Sequence, residues 1–133
     1  METKFNFKSA ICTSREQSEK LLALGLKKET ADMCHFWHWE SDDYSRLCAS
    51  WEFAHRSNND IPAWSLHRLI EMMPKSIHFE NEDWYKIIYN NSVCYQRGQF
   101  SICRSCKGDL YKDIANCIAW LIKEGYFNKE YLV

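Results

Sequence analysis

Between residues 84 and 104 the chain alternates short strand-forming runs with tight turns. From residue 110 the apolar spacing changes to that of a helix. Strands joined by two or three residues must be antiparallel, because a parallel crossover needs a dozen residues or more. This stretch therefore predicts an antiparallel meander followed by a helix that packs on it. In 84–90, Tyr85, Ile87 and Tyr89 alternate with Lys86 and Asn90, which predicts a half-buried strand with the first three facing inward. Asn90-Asn91-Ser92 reads as a hairpin turn, 93–97 as the return strand, Gly98-Gln99 as a second turn and 100–104 as the third strand. Over 110–124, Leu110, Ile114, Cys117, Ile118, Leu121 and Ile122 fall on one helical face, and Gly125 follows as a stop.

Upstream of the meander the signals are mixed. Residues 14–24 read as a helix capped by Thr13 or Ser14, with Glu16 or Gln17 completing a capping box and Gly25 ending it. Aromatic-rich segments 34–39 and 46–54 read as a strand pair, with Ser41-Asp42-Asp43 as the turn between them. Ser57 to Asp60 reads as a loop. A second helix is predicted from about 61 to 73, with Asp60 as its cap, Pro62 in its first turn and Leu66, Leu69, Ile70 and Met73 as its buried stripe; Pro74 ends it. The predicted fold is α+β: a three-strand C-terminal meander and an N-terminal strand pair, with about three helices packed on them. With 133 residues, four Gly, two Pro and no linker or repeat, the whole chain 1–133 reads as one domain.

No apolar run approaches the ~18–20 residues that span a bilayer. The first thirty residues hold no signal-peptide h-region, so the expected location is cytoplasmic. Seven cysteines at irregular spacing are then expected to be reduced, several of them core residues. Charge is unevenly spread. Residues 1–28 carry six Lys/Arg against three Asp/Glu, residues 29–60 two against seven, and residues 61–133 nine against eight. With a pI near 6.5 and an acidic middle, the chain lacks the basic face of a general nucleic-acid binder.

Few residues form a pattern that demands chemistry. Cys103 and Cys106 make a C-x-x-C, which can supply half of a tetrahedral zinc site; Cys34 and His38 are the candidates for the other half. The plainer reading has Cys103 on a strand and Cys106 in a loop. On a strand, His38 and Glu40 share one face, while His35 goes with Trp37 and Trp39 on the other. Arg97, Arg104, Lys107 and Lys112 outline a nucleic-acid alternative, yet the aromatic-glycine signature of an RNA-binding sheet is not met, and Asp109 and Asp113 offset the charge. There is no nucleophile elbow and no glycine-rich phosphate loop. The strongest candidate is the acidic, aromatic middle: Trp37, Trp39, Glu40, Asp42, Asp43 and Trp51. Exposed Trp anchors protein interfaces, and carboxylates steer a basic partner.

Several blocks also carry a resemblance: Ser14 to Leu26, Thr30 to Met33, Ile61 to Pro74 with its Pro62-Ala63-Trp64-Ser65-Leu66 core, and the ending Ala119 to Leu132 with Trp120-Leu121-Ile122 and Tyr126. Together they resemble small proteins of prophages and conjugative elements in gut anaerobes. That group carries no assigned activity, so no catalytic residue is carried over from it. The resemblance implies a bacterial protein tied to mobile DNA. The expectation is thus a non-enzymatic accessory module with a protein partner, no cofactor, no nucleic acid and no membrane; a homo-oligomer is compatible with it.

Overall fold

The computed structural model describes residues 11–38, 43–48, 60–89, 92–102 and 109–133, with side chains described outside 36–38 and 43–48. Helix α1 spans Arg15–Ala23 and starts as its sequence predicts. Ser14 Oγ accepts from the Gln17 N–H at 3.2 Å while the Ser14 N–H donates to Gln17 Oε1 at 2.9 Å, a complete capping box. Gly25, at φ 104°, ends it. There the Leu26 N–H reaches back to the Leu21 carbonyl (3.3 Å) and the Gly25 N–H to that of Leu22 (3.0 Å). This six-to-one, five-to-two pattern needs a left-handed residue, which glycine adopts without a Cβ clash.

The N-terminal strands form a three-stranded antiparallel sheet rather than a pair. Strand β1 is Met33–His38, β2 Asp43–Cys48 and β3 Ile61–Ala63, in the order β2-β1-β3. Asp43, expected in the turn, instead opens β2 opposite His38. The expected loop at 57–59 and the strand continuation at 49–54 lie outside the described residues. The larger correction concerns residues 61–65, predicted as the first turn of a helix. Ile61, Pro62 and Ala63 pair with His35, Cys34 and Met33 instead. Pro62 is tolerated because β3 is an edge strand, where a missing N–H breaks no inner ladder. Helix α2, Leu66–Met72, begins four residues beyond Pro62 and is capped by Ser65, whose Oγ accepts from the Arg68 N–H at 3.2 Å. Pro74 follows it, as predicted.

The C-terminal sheet has four strands, not three: β4 Ser76–Phe79, β5 Glu82–Ile88, β6 Val93–Arg97 and β7 Phe100–Ile102, in simple meander order. Strand β4 escaped the sequence reading because its turn is Glu80-Asn81. Both residues sit at positive φ (53° and 64°), a two-residue hairpin geometry for which Glu is an unusual choice. Helix α3, Leu110–Glu124, is capped by Asp109, lies over β6 and also touches α1 and α2. Its buried face is Tyr111, Asp113, Ile114, Cys117, Ile118 and Leu121. It ends at Gly125 (φ 80°), where the Tyr126 N–H returns to the Leu121 carbonyl at 2.8 Å, just as α1 ends.

Strand β5 alternates as expected, but with its faces inverted. Trp84 is buried and Tyr85 is 57% exposed. The indole packs edge-on against Phe79 and donates through Nε1 to the Phe79 carbonyl at 3.1 Å, so the largest apolar side chain takes the inner face. Lys86 follows it inward. Its Nζ donates to the carbonyls of Ile70 (2.8 Å) and Met73 (3.2 Å), placing a cation at the carbonyl end of α2. Burial, then the neighbouring Lys75, pushes the Lys86 pKa down. Opposite Lys86, Tyr95 is fully buried and its hydroxyl donates to the Pro74 carbonyl at 2.6 Å.

The core joins both sheets' helices and the tail, with Leu21, Leu26, Trp64, Leu69, Met73, Tyr95, Ile114, Ile118 and Leu121 among its largest members. The aromatic tail packs back on the body, as its composition implies. Phe127 is buried, Tyr126 stacks on Trp120 at 5.8 Å, and Leu132 bridges antiparallel to Leu26. The fold class is α+β, with three α-helices and two antiparallel sheets among the described residues.

Candidate functional site

The residues singled out from the sequence are distributed over the first sheet and beyond it. Trp37 occupies a position on β1 and Asp43 the first position of β2. Trp39, Glu40, Asp42 and Trp51 lie outside the described residues, as do Cys103, Arg104, Cys106 and Lys107. Of the four thiol and imidazole groups in the zinc alternative, Cys34 is fully buried on β1, opposite both Cys48 and Pro62, and His38 faces Asp43 in the strand register. Among the described residues no three His, Cys, Asp or Glu side chains come together as a metal site. Cys12, Cys34, Cys94 and Cys117 are buried thiols, as the composition led one to expect. From the nucleic-acid alternative, Arg97 is ion-paired with Glu82. Lys112 lines a polar groove of about 190 Å³ between α1 and α3, which Gln17 crosses to donate to Asp109 at 3.3 Å.

A polar cluster that the sequence reading did not assemble joins the lead-in of α1, strand β1 and the β3–α2 connection. The Trp64 N–H donates to Thr13 Oγ1 (3.1 Å), and the Thr13 N–H donates back to the Trp64 carbonyl (2.9 Å). The buried Trp64 indole donates to Thr30 Oγ1 at 3.0 Å. The Asp32 carboxylate accepts twice from Ser65, from its N–H at 2.8 Å and its hydroxyl at 2.5 Å. Asp32 thereby holds the side chain that caps α2, which explains why the helix starts at Leu66 rather than at Pro62.

Cys12 and His35 also meet in this cluster, with Sγ 3.7 Å from Nε2. A cysteine beside an imidazole invites comparison with a nucleophile and its base, but the hydrogen bonding argues otherwise. The same Nε2 lies 2.8 Å from the Thr13 carbonyl, which can only accept, so Nε2 carries the hydrogen. It then has no lone pair with which to deprotonate the thiol. Burial, reinforced by the Asp32 charge, pushes the Cys12 pKa up, away from the thiolate that attacks or binds metal. Burial, with Cys12 next in effect, also raises the pKa of nearby Tyr111. The cluster keeps the Cys12 thiol from ionising readily and fastens distant segments. The only hint in the sequence was the pairing of short polar residues with a Trp; separations of 22 to 51 residues leave no local spacing signature.

The surface of the four-stranded sheet away from α3 is different in kind. Because β5 is inverted, Tyr85, Ile87 and Tyr89 face outward, with exposures of 57%, 36% and 42%. The Tyr89 hydroxyl donates to Gln96 Oε1 at 2.9 Å across the sheet, and the Gln96 amide in turn donates to the Gly98 carbonyl at 2.8 Å. Between these groups in the register lies Cys94, which is buried. Ile88 and Phe100, on the opposite face at its two ends, are also exposed.

Comparison with known proteins returned no match to a family, a curated protein or a solved structure. No helix among the described residues is long and apolar enough to cross a membrane.

Proposed function

We propose that the chain is a non-enzymatic protein-binding module that works in the cytoplasm as an accessory protein of a phage or mobile element. The observation that carries the binding role is the outward row Tyr85, Ile87 and Tyr89, which places aromatic and aliphatic area on the face of the sheet opposite the one where Trp84 and Tyr95 are buried. Aromatic side chains are the usual anchors of protein interfaces, and contiguous exposed apolar surface marks sites of association. The acidic 29–60 stretch adds a steering charge for a basic partner. The raised pKa of Cys12, with a neighbouring imidazole nitrogen that already donates to a carbonyl, weighs against that thiol as a nucleophile. The mobile-element setting rests on the resemblance alone, carried by the Ser14 to Leu26, Thr30 to Met33, Ile61 to Pro74 and Ala119 to Leu132 blocks.

The test is affinity capture of the full tagged chain from bacterial lysate, with and without nuclease, in parallel with Tyr85→Lys/Ile87→Lys and Asp42→Lys/Asp43→Lys variants. The expected result is a stoichiometric protein that survives nuclease and is lost from the first variant, while the variant's circular dichroism and melting temperature stay unchanged. Loss from the second variant would add the acidic segment to the interface. Material that disappears with nuclease would overturn the reading in favour of nucleic acid, and a partner retained by both variants would rule out these surfaces.

A further inference from the structure

We draw no further inference here: the strongest candidate, the outward-facing row Tyr85, Ile87 and Tyr89 on the four-stranded sheet, belongs to the reading already proposed, and nothing in the structure shows what covers it.

Discussion

The four-stranded meander and the junction around Trp64 are built by opposite means. In the meander each strand pairs with the next one in the chain, so every ladder closes over a short turn. At the junction, hydrogen bonds join residues 51 (Trp64 and Thr13), 33 (Ser65 and Asp32) and 22 (His35 and Thr13) positions apart. Local ladders cost little loop-closure entropy and leave a readable pattern. Distant polar bonds are formed only once the chain has closed, and they then decide where helices start. In this protein the sheet supplies a platform and the junction supplies the lock.

The strongest way to break that contrast is Trp64→Ala. The indole is fully buried and hydrogen-bonded, so its loss should cost about 3–5 kcal/mol and in a domain of this size bring the chain close to unfolding; urea denaturation measures it. A cost below ~1 kcal/mol would mean that the junction does not lock the fold. Next, Asp32→Ala should cost about 2–3 kcal/mol, because it removes two hydrogen bonds to a charged acceptor and frees the cap of α2. A double-mutant cycle with Ser65→Ala should show strong coupling, and additive losses would disprove a shared role.

On the meander side, Glu80→Gly should stabilise by up to about 1 kcal/mol, since relief of the ~1–2 kcal/mol left-handed cost at φ 53° outweighs the ~0.4–1 kcal/mol that glycine's freedom adds to the unfolded chain. A destabilised variant would place a contact of the Glu80 side chain above the backbone cost. A pH series sharpens the junction side. Cys12 has a raised pKa in the folded protein, so its contribution is complete below the ordinary thiol value of about 8.5 and is lost as pH rises through the folded value. Stability should therefore fall on the alkaline side, and fall less steeply in Cys12→Ala; equal slopes would refute the burial of a neutral thiol. Tyr111 acts in the same direction at higher pH, while Lys86, with its lowered pKa, opposes both. The smallest expected effect is that of Tyr85→Ser, within about 0.5 kcal/mol on stability, because that side chain is more than half exposed. A larger loss in thermal unfolding would show that the outward row is a structural surface.

Much of the architecture was legible before folding. Ser14 with Gln17, Gly25, Gly125 and the stripe from Ile114 to Leu121 act through contacts within one or two helical turns, and they appear where the sequence puts them. The misreadings have two causes. Pro62 suits a helix start and an edge strand equally well, and pairing with β1 chose the strand. Strand β4 was hidden because its turn uses Glu80 and Asn81 rather than glycine. The candidate site was hardly legible. Aromatic density at 37–51 points to that segment, much of which lies outside the described residues, whereas the exposed row Tyr85, Ile87 and Tyr89 lies on β5 and just past its end, on the face that the alternation predicts to be buried.

The sequence by itself determined the α+β class, the start of α1, the ends of α1 and α3 at Gly25 and Gly125, and the stripe of α3, because these depend on neighbours a few residues away. Tertiary structure decided which side of β5 meets the core, where α2 begins and which way the Cys12 pKa moves. Trp84 buries more apolar area than Tyr85 once Phe79 is beside it; Asp32 can hold Ser65 only after β1 and β3 have paired; and the Thr13 carbonyl takes the His35 hydrogen only when the lead-in of α1 lies against that strand. Each choice is a comparison of burial or hydrogen bonding between groups that the chain brings together only by folding.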